Sequence, residues 1–284
     1  MPVQTQTKVE DVMVKDVVCA TVPGSRDDVL KILKNKHISG VPVIKGKTLA
    51  GIVTRKDIFR HPEEEQIALL MTRDPITVTP EATIADAARL LLDSNVRRLP
   101  VITDHTLVGI VTVADIIRAI ANMNIKTPVG DYVKDCLVAV WDEMPLPIVI
   151  EVLKLGKASA APVLNTKCEL VGIVSDVDLI AVSEIEDSVE ISNMSAGSDD
   201  DAWTWESIRD TMNLYYGVSR IKLPDIPVKE VMIKDAITAT RHSEVSDCAK
   251  KIWKNKIEQI PVITGERKVT GLLRDVDLLK ILIE

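Results

Sequence analysis

A chain of 284 residues that is 46% hydrophobic can bury a real core, and its single Phe means that core is Val, Ile, Leu and Ala. Charges interrupt every apolar run short of the roughly 18 residues a membrane helix needs, and the opening MPVQTQTK lacks the apolar stretch of a secretory leader, so a cytoplasmic protein without membrane attachment is expected. The net charge of −7 disfavours nucleic acid as a partner, and Cys19, Cys136, Cys168 and Cys248 stand isolated with no histidine at ligand spacing, which excludes a zinc motif or a disulfide framework.

In chain order the predicted elements repeat themselves. Residues 8–61 hold a helix at 28–34, a strand at 41–44, a Lys45-Gly46-Lys47 turn and a strand at 49–53. Residues 68–124 show the unit most clearly. A β-type run at 75–79 leads to a helix at 84–93, with Ile84, Ala87, Ala88 and Leu91 at i, i+3, i+4, i+7 spacing. Strands at 96–102 and 107–111 follow, joined by a turn at Asp104-His105, and a helix at 115–120 closes the unit. Residues 128–183 place the same elements at 147–155, 161–164 and 170–174, and residues 226–284 place them at 245–253, 260–263 and 269–273.

Between the third and fourth units an insert, 184–225, breaks the pattern. Its acidic run 195–201 precedes Trp203, Trp205, Ile208, Met212 and Tyr215, which from Trp205 onward fall on one face of an expected helix. That aromatic helix, 203–216, either covers an exposed face of the chain or docks a regulated protein partner, since aromatic anchors dominate interface energetics.

Each unit carries one phrase. It reads Gly51-Ile-Val-Thr54-x-x-Asp57, then Gly109-Ile-Val-Thr112-x-x-Asp115, then Gly172-Ile-Val-Ser175-x-x-Asp178, and finally Gly271-Leu-Leu-Arg274-x-x-Asp277. A Pro-Val pair precedes each phrase, at Pro42, Pro100, Pro162 and Pro261. Self-similarity at a period near sixty residues makes the chain four tandem copies of one α/β (α+β) unit. Units this small are expected to pair and share a core.

This pattern, h-x-h-P-V followed by G-h-h-[ST]-x-x-D, resembles the CBS domain, and the resemblance covers nearly the whole chain outside the insert. It implies that copies pair into Bateman modules, one with two and three with four, as one disk per chain or in a homodimer. The arrangement resembles the regulatory gamma subunit of AMP-activated kinase and its archaeal look-alikes. It also implies that the clefts bind adenosine ligands and that the chain regulates rather than catalyses. A barrel of the kind that performs IMP-dehydrogenase chemistry is not encoded, and neither a P-loop nor a Ser-His-Asp or Cys-His grouping appears.

Two readings of the phrase stand side by side. Thr54/Asp57, Thr112/Asp115 and Ser175/Asp178 match a capping box at a strand-to-helix junction, worth about 1 kcal/mol each. The same junction offers backbone N–H groups and a hydroxyl for a phosphate, and a carboxylate for ribose hydroxyls. On the ligand reading the binding residues are Thr54, Arg55, Asp57, Arg97, Arg98, Thr112, Asp115, Ser175, Asp178 and Asp277, with Thr21, Ser39, Val41 and Arg274 as secondary candidates. Arg55 and Lys56 would neutralise phosphate, and Arg97 and Arg98 would serve either cleft of the first module. Arg274 replaces the hydroxyl in the fourth copy, where it would reach a phosphate or pair with Asp277 or Glu258. With few aromatics, adenine would lie among aliphatic side chains near 21–23 and 41–43.

The expected ligands are AMP, ADP or ATP, with no catalytic cofactor and no metal. S-adenosylmethionine is the alternative ligand, and a ligand-free interaction scaffold is the other alternative function.

Overall fold

The computed structural model describes residues 7–36, 38–61, 64–135, 138–182, 184–193 and 213–283. Copy one begins with a short helix, α1 (Val9–Val12), then β1 (Ala20–Thr21), α2 (Arg26–Asn35), β2 (Gly40–Lys45), β3 (Thr48–Thr54) and α3 (Arg55–Arg60). Copy two comprises α4 (Ile67–Leu70), β4 (Thr72–Arg73), α5 (Ile84–Asp93), β5 (Arg98–Thr103), β6 (Thr106–Thr112) and α6 (Val113–Asn122). Copy three has β7 (Val140–Trp141), α7 (Leu146–Leu155), β8 (Ala160–Leu164), β9 (Leu170–Ser175) and α8 (Asp176–Ala181). The insert contributes the antiparallel pair β10 (Glu184–Asn193) and β11 (Asn213–Lys222). Copy four has α9 (Val245–Asn255), β12 (Gln259–Ile263), β13 (Val269–Arg274) and α10 (Asp275–Leu278).

Two expectations are corrected. The run 75–79 is not a strand, because Pro75 lacks an N–H to donate and only Val78 bridges, in parallel to Val101. Of the aromatic helix expected at 203–216, residues 203–212 lie outside the described residues. The remainder is strand rather than helix: Tyr215 pairs with Ile191 and Tyr216 with Glu190 along β11, in keeping with the β preference of Tyr.

The chain divides into two compact units. The first takes in residues 1–135, 237–264 and 270–284, and the second residues 136–236 and 265–269. In the first, copies one and two share a sheet of order β1-β2-β3-β6-β5, joined at Thr48↔Thr106, with β4 on β3. Copy one has its own core of Val29, Leu33, Val41, Val43 and Val53. Copies two and four share another. There Ile116, Ile117, Ile120 and Ala121 on α6 pack with Cys248, Ala249 and Ile252 on α9, and with Leu278, Leu279 and Leu282. Ser246 is buried inside that seam and fully satisfied: its hydroxyl donates to the Ile120 carbonyl at 2.8 Å and accepts from the Ile125 N–H at 2.7 Å. The second unit has the three-stranded sheet β7-β8-β9 over a core of Leu146, Val149, Leu153, Val163, Val174 and Leu179.

The lead-in segments trade places, which explains the glycine of the repeated phrase. Residues ahead of copy one lie on copy two, where Val14 and Ile110 exchange backbone hydrogen bonds at 2.9 and 3.0 Å. Residues ahead of copy two lie on copy one, with Thr72 opposite Ile52. A Cβ at Gly109 would stand 2.5 Å from Met13 Sδ, and one at Gly51 2.7 Å from the Thr72 carbonyl. Both distances are below contact: at Gly51 the obstacle is backbone, which demands glycine, and at Gly109 the Met13 side chain would have to move. Gly172 meets Met232 and Ile233 in the same way, and Gly271 meets Val133 and Lys134.

Candidate functional site

All four junctions are built to one plan. The first helical residue donates its N–H to the carbonyl of the residue that precedes the middle strand. The pairs are Arg55 to Ser39 (3.0 Å), Val113 to Arg97 (3.1 Å), Asp176 to Ser159 (2.9 Å) and Asp275 to Glu258 (2.8 Å). That bond aligns the copies position by position, so their side chains can be compared directly.

In the first three copies the hydroxyl and carboxylate form the capping arrangement. Thr54 directs its N–H (2.8 Å) and its hydroxyl (2.6 Å) to Asp57 Oδ2. Thr112 does the same to Asp115 Oδ2 at 3.0 and 2.7 Å, and Ser175 to Asp178 Oδ2 at 2.8 and 2.6 Å. Each box engages Oδ2 and leaves Oδ1 outside it, so the cap and a ribose contact do not compete for the same oxygen. In copy two, Arg118 lies 3.7 Å from Asp115 Oδ1.

Arg97 and Arg98 part company at the entry to β5. Neighbouring residues on a strand point to opposite sides. Arg98 reaches copy one, where its Nη2 donates to Ser39 Oγ at 2.5 Å. Its Nη1 sits 2.0 Å from where a Cβ of Gly40 would be, so the glycine makes the space that the guanidinium fills. Arg97 instead reaches copy four and does not serve the first module, as its place beside Arg98 in sequence had suggested. It donates to both oxygens of Asp275 (2.5 and 3.3 Å) and lies 3.1 Å from Glu258.

The two arginines differ electrostatically as well. Burial and the nearby Arg97 push the Arg98 guanidinium below its ordinary pKa, and among the described residues no carboxylate lies within ion-pair distance of it. At Arg97 burial acts in the same direction, but the hydrogen bonds and charge of Asp275, aided by Glu258, outweigh it and raise its pKa. Copy one therefore holds a half-buried cation that makes no ion pair and feels Glu258 and Asp57 only at longer range, beside Ser39, Thr54 and Arg55. The Lys56 side chain lies outside what the structure describes.

Copy four is arranged differently. Arg274 forks onto Asp277, with Nε to Oδ2 at 2.7 Å and Nη2 to Oδ1 at 2.8 Å, and Lys280 adds a contact at 3.6 Å. Asp277 is 1% exposed and Asp275 4% exposed. Burial pushes the Asp275 carboxyl up against the pull of Arg97.

Thr21 lies at the exposed end of β1 and lines a cleft of about 180 Å³ with Cys19, Ala20, Pro23, Asp28, Ile32 and Ile67, so an acidic residue joins the apolar ones. Val41 contributes no side chain to a cleft, because it is wholly buried in the core of copy one. The roles of Asp275 and of Ser39 as a partner of Arg98 went unread in the sequence. Aligning the residue before Pro-Val with the residue after the hydroxyl, copy against copy, is the signal that finds both. Among the described residues no group of His, Cys, Asp and Glu could hold a metal ion, and no helix is long and apolar enough to cross a membrane.

Comparison with known proteins matches the CBS domain model at residues 9–64, 65–122, 129–184 and 228–284. An uncharacterized conserved protein from Pyrococcus horikoshii superposes with a TM-score of 0.70 at 30% identity, over 97% of this chain and 100% of that one. Protein MJ1225 from Methanocaldococcus jannaschii, described as a candidate archaeal homologue of g-AMPK, superposes with a TM-score of 0.69 at 21% identity, over 96% of this chain and 99% of that one. A curated relative, the inosine-5'-monophosphate dehydrogenase of Korarchaeum cryptofilum, is 34% identical over 111 residues, 38% of this chain and 23% of that enzyme.

Proposed function

Because this chain belongs to the CBS domain family, built of four such domains, we propose that it is a non-catalytic regulator that binds an adenine nucleotide at the junction of copy one. The observation that carries this reading is Arg98. A half-buried guanidinium held on a serine hydroxyl, with Glu258 and Asp57 near but neither ion-paired to it, is suited to receive an oxyanion. A phosphate there would meet Arg98 and Arg55. Asp57 Oδ1 would accept from the ribose hydroxyls, and adenine would lie toward Thr21 and Pro23. Among adenosine ligands this favours AMP, ADP or ATP over S-adenosylmethionine, whose sulfonium centre would be repelled by the two arginines. Copies two and three keep the box at Thr112/Asp115 and Ser175/Asp178 and serve as secondary sites.

Regulation follows if the nucleotide stabilises one arrangement of the chain over another, and its differential affinity sets the size of that shift. A regulated protein would read the change.

Thermal melts with AMP, ADP, ATP and S-adenosylmethionine test the proposal. A nucleotide at about 100 times its Kd adds roughly 2.7 kcal/mol of native stability, and Asp57→Ala should reduce that gain. A melting temperature unmoved by every nucleotide would return the phrase to capping alone.

A further inference from the structure

We propose that copy four has been turned from a ligand cleft into an ion-pair dock, and that Arg274 is its built-in occupant, excluding adenosine ligands. The inference rests on reading copy one as an adenosine site. It begins with the backbone bond common to all four junctions, which makes Glu258 the counterpart of Ser39 and Asp275 the counterpart of Arg55. Where copy one presents a hydroxyl and a cation, copy four presents two carboxylates. A phosphate arriving there would meet like charge.

The remaining polar positions are taken. In copies one to three the box leaves Oδ1 of its aspartate outside the cap. In copy four both oxygens of Asp277 accept from Arg274, so a ribose would have to displace the guanidinium to be held by both oxygens. Arg274 also brings a long side chain into a place sized for a hydroxyl. The second acidic group, Asp275, receives the forked Arg97 of copy two, and Glu258 closes on the same guanidinium. Three anions, Glu258, Asp275 and Asp277, thus face three cations, Arg97, Arg274 and Lys280, and the junction is neutral without a ligand. The departure of the fourth phrase from the other three is then a functional substitution, which decides which clefts respond to ligand.

Photolabelling of the full chain with 8-azidoadenosine, followed by peptide mapping, tests the assignment. The probe lacks phosphate because removing Arg274 leaves three carboxylates, Glu258, Asp275 and Asp277, facing two cations, Arg97 and Lys280. The parent protein should be labelled within 21–57 and not within 240–280. Arg274→Thr restores the hydroxyl of the other copies, so it should gain label within 240–280 that excess adenosine displaces. Adding Asp277→Asn should remove that label again. Adenosine-displaceable label within 240–280 of the parent would overturn the proposal, and so would its absence from a folded Arg274→Thr protein. Failure of the underlying reading looks different: the parent would then lack label at 21–57.

Discussion

Copies one and four share a backbone plan and differ in what fills it. In copy one a cation is brought in from copy two and left without an ion pair; in copy four another cation is brought in from copy two and met by two carboxylates. Arg97 and Arg98, adjacent in sequence, supply both. The difference teaches that the fold fixes where a side chain arrives, while the receiving copy decides whether it is spent on structure or kept for a ligand.

The largest expected effect is on the structural side of that contrast. Arg97→Met leaves Asp275, 4% exposed, without its partner. Breaking a fully buried pair costs about 3–5 kcal/mol, and the 38% exposure of the Arg97 side chain lowers the expectation to about 2–3 kcal/mol. Chemical denaturation of the variant measures it, and adding Asp275→Asn should recover part of the loss. A cost below about 0.5 kcal/mol would make the dock a surface pair of no structural weight.

A smaller effect falls on the ligand side, in copy one. Gly40→Ala places a methyl where Arg98 Nη1 now lies and displaces the guanidinium from Ser39. AMP affinity should fall about tenfold, roughly 1.4 kcal/mol, and the new methyl, 3.0 Å from Thr54 Cγ2 and the Val53 carbonyl, should lower the melting temperature of the free protein as well. Titration calorimetry beside a melt checks both halves. Equal affinity would mean that Arg98 can leave Ser39 without consequence.

The smallest effect concerns the capping boxes outside the repeated phrase, those opening α2 and α5. Hydrogen bonds from Ser25 and Thr83 hold Asp28 and Asp86 below their ordinary value of 3.8. A carboxyl depressed in the folded state stabilises it above the ordinary value, and that support disappears as pH falls through the depressed one. Ser25→Ala/Thr83→Ala should therefore lose stability at pH 5, and the loss should shrink as pH falls below 3.8, leaving the part due to the hydroxyls that accept from the Asp28 and Asp86 N–H groups. Parallel urea midpoints across that range would contradict the assignment.

Much of this was legible in the sequence. The period, the Pro-Val strands and the apolar spacing of Ile84, Ala87, Ala88 and Leu91 give the elements to within a residue or two, because local patterning there agrees with the final packing. The hydroxyl-carboxylate pair was legible too, down to its capping geometry. The traded lead-ins were not, since contacts such as Val14 with Ile110 join residues far apart in sequence and leave only an unexplained glycine at 109. Nor was the separation of Arg97 from Arg98. Adjacent basic residues look alike in a string, and only the strand beginning at Arg98 sends them to different copies. At Tyr215 a helical spacing pointed to a helix, and strand pairing with Ile191 took precedence.

The central claim is that Arg98 is kept for a phosphate. Titration calorimetry of AMP and adenosine against the parent and Arg98→Met tests it most directly. The account predicts that the parent prefers AMP to adenosine by about tenfold or more, as a charge-assisted contact implies, and that Arg98→Met binds the two alike. An Arg98→Met protein that retains the preference of the parent for AMP would contradict it.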